Sequence, residues 1–353
     1  MTTYYIRSDY GSLRRVSDRL KFIPENTGEG KILFPHRMEG LVIMGNTEIT
    51  SPALKLLMKH GIDTVFLTKH GRYNGKLVFN ENKNVFLRKK QFEQLAGNFP
   101  RYFARTIVTA KIRNQRGFIQ RLIREKDLTG GKEAVRRMDS LLKKVEQTDS
   151  MEQLRGYEGS AARIYFSVYG QVFSGEWPVF KGRNSHPPRD EVNAVLSFLY
   201  TLIFFRVDAA LAAEGLDTYV GYYHSLEYGR RSLTLDMMEQ FRVPLADAVC
   251  AGLFNRKSLT RDDFRVVTHD DEEDIPGSSL EDGPIEDMKA VLLTKEGVGK
   301  TITAFEKKLE QEILYPPQQK RLAWTDIFRK QAAHIKRVIM EEELNFKPLV
   351  KTR

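Results

Sequence analysis

Asp236 and Glu239 stand three residues apart in LTLDMMEQF, so on a helix both carboxylates leave from one face. Leu233, Leu235, Met237, Met238 and Phe241 surround them, which implies that at least one side of that helix is buried. His224 precedes Glu239 by 15 residues, in a Gly- and Tyr-rich stretch where an imidazole can turn toward those carboxylates. One histidine with two carboxylates is a hard donor set, suited to Mg²⁺ or Mn²⁺ rather than to structural zinc. The same residues also read as a hydrogen-bonded core histidine beside a solvated acidic face, and spacing alone leaves both open.

Two further pieces hold unusual combinations. In LRGYEGSAARIYF, Glu158 lies between Gly156 and Gly159. Glycine inside a helix costs about 1 kcal/mol relative to alanine. The pair therefore implies close approach of another backbone and a tight, partly buried place for Glu158, against the alternative of a surface glutamate on a helix packed through small residues. In KGRNSHPPRDEVNAVLSFLYTL, Asp190 suits a helix N-cap after two prolines. Arg189 and Asn193 fall near that N-terminus, where anions bind well, so phosphate recognition competes with a plain core helix.

The elements that must position these residues fall into two regimes. Up to about residue 95, short β-rich runs at 3–7, 19–23, 31–34, 41–44, 64–67 and 76–79 alternate with Gly- and Asn-containing turns. One helix interrupts them, opened by Ser51 and Pro52, striped by Leu54, Leu57 and Met58, and ended by Gly61. From Arg101 the period becomes helical: Phe103, Ile107, Ala110, Asn114, Phe118 and Leu122 follow three- and four-residue steps, with Arg and Lys on the other faces. Helical patterns continue over 151–172, 190–213, 233–242, 289–314 and 317–344. The expectation is an α+β chain, with a β-rich domain over 1–95 and a larger all-α domain over 96–353. Residues 269–287, rich in Asp and Glu with Pro, Gly and Ser, read as a solvated acidic loop.

Charge separates along the same line. The formal net charge is +10, with an early surplus of +7 over 1–100 and +8 over 101–147, and −2 over 148–268. Cations that hold phosphates beside carboxylates that hold metal suit a nucleic-acid enzyme, although a basic pI also serves solubility alone. The single Cys250, among Ala248, Val249 and Ala251, excludes an internal disulfide and a cysteine zinc cage, and reads as an inert buried thiol. The opening MTTYYIRSDY lacks a signal-peptide pattern, and the 14 uncharged residues from Val192 to Phe205 are too few to span a bilayer. A cytoplasmic protein without a membrane segment is expected. Gly299, Lys300 and Thr301 resemble the end of a phosphate loop, but Thr294 stands where its first glycine belongs. HExxH and GxSxG are absent.

The segments YEGSAARIYF, PPRDEVNAVLSFLYTL and GYYHSLEYGRRSLTLDMMEQFR, in this order, resemble the catalytic subunit of the CRISPR spacer-acquisition integrase, the family called CRISPR-associated protein one. The likeness runs from the β-rich start to about Phe264. It implies that Glu158, His224 and Glu239 ligate Mg²⁺ or Mn²⁺, with Asp236 a nearby functional acid. It further implies a DNA 3′-hydroxyl attacking a phosphodiester at the border of a repeat array, inserting short double-stranded DNA in antiviral defence. Arg230 and Arg231 would then steady the scissile phosphate, or be plain solvated arginines, and the basic helix from Arg101 would track the DNA backbone. The implied assembly is a homodimer formed through the β-rich domains, flanking a small ferredoxin-like dimeric partner, CRISPR-associated protein two. The rivals are a branched-DNA nuclease without an integration role and a non-catalytic DNA-binding scaffold.

Overall fold

A computed structural model describes residues 2–26, 28–78, 84–173, 175–184, 187–268 and 289–351. The expected acidic loop over 269–287 lies outside the described residues. The chain divides into two compact units, residues 1–81 with 261–299 and residues 82–260 with 300–353.

The first unit is built on a six-stranded mixed sheet. Its strands are β1 (Thr2–Val16), β2 (Arg19–Pro24), β3 (Lys31–Leu33), β4 (Met38–Ile49), β5 (Asp63–Leu67) and β6 (Tyr73–Leu77), in the order β3-β2-β1-β4-β5-β6. β4 runs parallel to both β1 and β5, and the remaining pairs are antiparallel. Helix α1 (Ser51–Lys59) links β4 to β5, and parallel neighbours need such a crossover. Ala53, Leu56 and Leu57 of α1 pack on Ile6, Leu13, Leu20, Leu41 and Ile43 of the sheet. The buried stripe is thus offset from the expected one, and Met58 is 39% exposed. β1 is three times the expected length because a register shift between Arg7 and Tyr10 carries the strand through polar residues that break the alternation.

The second unit carries α2 (Val85–Glu93), α3 (Phe99–Glu125), α4 (Gly131–Gln147), α5 (Met151–Tyr169), α6 (Glu191–Ala213), α7 (Ser232–Phe241) and α8 (Ala248–Asn255), with a π-helical turn over Arg242–Asp247. All six residues of the α3 stripe are buried, as its period requires. α6 is long and apolar enough to cross a membrane by length and composition alone, yet Val195, Leu196, Leu199 and Ile203 are packed inside the protein. It is a core helix.

Several expectations are corrected. α2, absent from the sequence reading, belongs with the second unit rather than within 1–95, and α4, also missed, buries Ala134, Met138, Leu142 and Val145. The stretch 289–314 is not one helix: β8 (Ala290–Leu293) pairs with β7 (Phe264–Val267) before α9 (Lys295–Leu309) begins. β9 (Glu312–Tyr315) and β10 (Lys320–Ala323) form a hairpin, so the last helix, α10, spans only Trp324–Glu341. The part expected to be all-α therefore holds two antiparallel strand pairs. Apolar runs of four residues look alike in a helix and a strand, and the partner strand that decides lies elsewhere in the chain.

Candidate metal and phosphoryl-transfer site

The second unit brings Glu158, His224, Asp236 and Glu239 into one neighbourhood from three separate segments. Glu239 and Asp236 sit on α7, and both are buried, at 2% and 0% exposure. A solvated acidic face is thereby excluded. Glu158 extends from the middle of α5, whose N-terminus is capped by Ser150 Oγ accepting from the Gln153 amide at 3.3 Å. His224 lies in the loop before α7. That loop folds against the helix start at Gly221, where an added Cβ would come 2.5 Å from the Ser232 backbone carbon.

Asp236 organises this loop. Its Oδ2 accepts from the backbone N–H groups of Tyr222 at 2.7 Å and Tyr223 at 3.0 Å. Its Oδ1 accepts from the His224 N–H at 2.8 Å and lies 2.7 Å from His224 Nδ1. A carboxylate with no solvent contact and four such neighbours is a fixed acceptor, so Nδ1 carries the proton that faces it and Nε2 is turned away from Asp236. Asp236 is thus placed to orient the histidine rather than to bind a metal itself.

Between the two glutamates lies Lys111 of α3, 8% exposed. Its ammonium donates a hydrogen bond to Glu158 Oε1 and stands 2.6 Å from Glu239 Oε2. The second contact is an ion pair, to a buried oxygen with no other donor. Tyr223 Oη donates to the other Glu158 oxygen at 3.1 Å. Arg242 reaches Glu239 Oε1 at 3.1 Å and stacks over Tyr200, 4.8 Å from the ring centre. Burial pushes the Glu239 pKa up, but the charges of Arg242 and Lys111, with a smaller contribution from His224, outweigh it and hold the carboxyl at about 2. Glu239 is ionised at every working pH.

Behind Arg242, the π-helical turn aims Asp247 into the core. Tyr165 and Tyr200 donate to its two oxygens at 2.7 and 2.9 Å. Burial raises the Asp247 pKa to about 6 in spite of these bonds. Burial likewise pushes the Cys250 thiol up, as expected for an inert cysteine.

The other sequence candidates divide. Asp190 caps α6, accepting from the Asn193 N–H at 2.8 Å. Asn193, fully buried, spends its amide on Gly182 O, Asp190, Arg183 and the Asn184 N–H, and so holds the preceding loop instead of facing a phosphate. Arg231 pairs with buried Asp208 at 2.5 Å and is structural. Arg230 pairs with Glu227 and receives help from Ser225, and Arg189 is exposed. The glycines beside Glu158 do not admit a neighbouring backbone. A Cβ on Gly156 or Gly159 would meet nothing within 4 Å, so they border open space. Gly156→Ala and Gly159→Ala are therefore expected to stabilise the protein by about 0.5–1 kcal/mol each, measured by urea unfolding. A loss of stability in either variant would show a contact at these positions.

Lys111, Tyr223, Arg242 and Asp247 were not singled out from sequence. For Lys111 a signal existed. It lies four residues after Ile107 and three before Asn114, on the buried stripe of α3, where a lysine without a partner is costly.

The donor set fits a hard divalent cation chemically: two carboxylates, an imidazole, and one buried carboxylate oxygen held by the Lys111 ammonium alone. Among the described residues, however, no three of His, Cys, Asp and Glu stand at metal-ligand spacing, and Lys111 takes the position between the two glutamates.

Comparison with known proteins bears on the whole chain. The family described as CRISPR associated protein Cas1 matches residues 4–272. A CRISPR-associated endonuclease Cas1 from Thermus thermophilus is 34% identical over 312 residues, 88% of this chain and 85% of that protein. Among solved structures, a casposase bound to an integration product shares the fold at a TM-score of 0.83 and 19% identity, covering 100% of this chain and 95% of that one. A Cas6-RT-Cas1–Cas2 complex matches at 0.79 and 22% identity, covering 100% of this chain and 36% of that one. With the family match spanning most of the sequence, and a relative of this identity along nearly its full length, the chain belongs to the Cas1 family.

Proposed function

We propose that this protein is a nuclease and integrase of CRISPR spacer acquisition, dependent on Mg²⁺ or Mn²⁺, in which a DNA 3′-hydroxyl attacks a phosphodiester at a repeat border. The observation that carries it is the convergence of Glu158 with Glu239 and His224, which lie 66 or more residues further along the chain, in a family whose relatives are named endonucleases. Glu158 and Glu239 would hold the cation, and His224, oriented by Asp236, would offer Nε2. When bound, such an ion supplies charge stabilisation at the attacked phosphate. The exchange needs no covalent protein intermediate, since one phosphodiester forms as another breaks. Tyr223 donates to Glu158 and so fixes its carboxylate.

Basic surfaces in the same unit support a polyanionic substrate. A cavity of about 1060 Å³ between α3 and α4 is lined by Arg121, Arg124 and Lys143 and by Arg113 and Arg116, the last two paired with Glu146 and Asp139. Burial, and then the charges of Lys351, Arg121 and Arg256, push the Lys308 ammonium down to about 8. Arg189 and Arg230 are the remaining candidates for phosphate contact near the site.

A second copy of the chain and a Cas2 dimer are the proposed partners, by likeness to the complex above. The test offers a labelled duplex with free 3′-hydroxyls and a repeat-bearing plasmid, with Mn²⁺ and the partner. Label joined to the plasmid by the wild type, and not by Glu158→Ala, is the expected result. Cleavage of branched DNA without joining would favour the plain nuclease, and salt-sensitive binding without any backbone chemistry would reduce the protein to a scaffold.

A further inference from the structure

The two glutamates that would take the cation are already engaged by a cation of the protein's own. Lys111 reaches Glu158 on α5 and Glu239 on α7 with one ammonium, and it is the group that joins those helices at this point. Arg242 also pairs with Glu239, so these two carboxylates already face two cations. Adding a divalent ion to the same oxygens would place two further positive charges within a few ångströms of Lys111, in a setting with little water to screen them. Metal and ammonium therefore exclude one another from these carboxylates. This accounts for the lack of three donors at ligand spacing among the described residues.

The two cations differ in how tightly they are held. The Arg242 guanidinium is planar, lies over Tyr200 and touches only the far oxygen of Glu239, so it can stay in place. Lys111 has a flexible four-carbon stem, and both of its polar contacts are the two glutamates themselves. The Glu158 side chain is 22% exposed, whereas that of Glu239 is at 3%. An ion entering from the Glu158 side would meet Lys111 first.

We propose that Lys111 is a tethered counter-cation, which holds Glu158 and Glu239 together before metal arrives and must withdraw from them for a divalent ion to bind. This rests on the proposed metal site and adds to it an internal competitor that sets how much metal the protein needs. The ammonium keeps two like charges from separating α5 and α7 in the metal-free protein, and it weakens apparent metal affinity in return.

The test is Mn²⁺ binding to the full chain without DNA, followed by calorimetry and by the loss of the free Mn²⁺ spin-resonance signal, together with melting temperature in chelator and in Mn²⁺. Lys111→Met and Lys111→Gln, the latter keeping a hydrogen-bond donor without charge, are compared with the wild type. Both variants are expected to bind Mn²⁺ about tenfold more tightly or better. They should also melt lower than the wild type in chelator and gain more from Mn²⁺ than it does. Should both bind Mn²⁺ no more tightly than the wild type, Lys111 is no competitor and the proposal falls, even with the metal site intact. If the wild type shows no Mn²⁺ site that Glu239→Gln removes, the metal reading itself fails and takes this proposal with it. The chelator melting curves report folding directly, and Lys111→Gln covers a failure of Lys111→Met to fold.

Discussion

Glu239→Ala is expected to lower strand joining by about 10³-fold or more, a loss on the scale of removing a key charge-stabilising group from a catalytic site. It is also expected to destabilise the protein by about 3–5 kcal/mol, because it takes one of two carboxylates from buried Lys111 and the ion pair from partly exposed Arg242. Arg242 itself remains over Tyr200. Glu158→Ala should remove activity to a similar extent at a much smaller cost, about 1–2 kcal/mol, since Glu158 is partly exposed and Lys111 keeps Glu239. Urea unfolding and joining assays on the same preparations separate the two effects. Equal stability losses in the two variants would contradict the burial difference, and wild-type joining in either would remove that glutamate from the site.

Asp236→Asn carries the second large effect. The aspartate accepts three backbone N–H groups and faces the Nδ1 proton of His224. An asparagine fits the space, yet its amide nitrogen must replace one of the two oxygens and confront donors that need an acceptor. If it replaces Oδ1, His224 is driven toward the other tautomer, which puts a proton on Nε2. If it replaces Oδ2, the amides of Tyr222 and Tyr223 are stranded and the loop carrying His224 shifts. Either way a fall in turnover of about 10² to 10⁴-fold is expected, the range seen when a carboxylate that orients a catalytic histidine is neutralised. Nitrogen NMR of the imidazoles, with His224→Gln to assign the resonance, reads the tautomer directly. An unchanged tautomer together with an unchanged rate would show that Asp236 only supports the fold.

The two variants differ in a way that a list of acidic residues does not reveal. Asp236 and Glu239 are one helical turn apart and equally buried, but one is surrounded by backbone donors and the other by side-chain cations. The first is committed to local architecture. The second has an oxygen held only by the mobile Lys111 ammonium, and this makes it the candidate ligand.

What the sequence determined by itself was whatever repeats at short range or is spelled out contiguously. The α3 stripe from Phe103 to Leu122, the capping Asp190, the α1 start at Ser51 and Pro52, and the i, i+3 pair on α7 follow from helix geometry, because each involves residues within a few turns of one another. The motif segments were legible for the same reason. Tertiary structure alone decided that β8 and β10 are strands, since four apolar or mixed residues take their state from a partner strand far along the chain. It decided as well that Gly156 and Gly159 face open space, that Asn193 and Arg231 are spent on internal partners, and that Lys111 joins Glu158 to Glu239. Charges 47 and 128 residues apart have no local signature of their pairing. Their meeting depends on how α3, α5 and α7 pack, and burial then makes the pairing obligatory, because an ammonium or carboxylate removed from water must find an opposite charge.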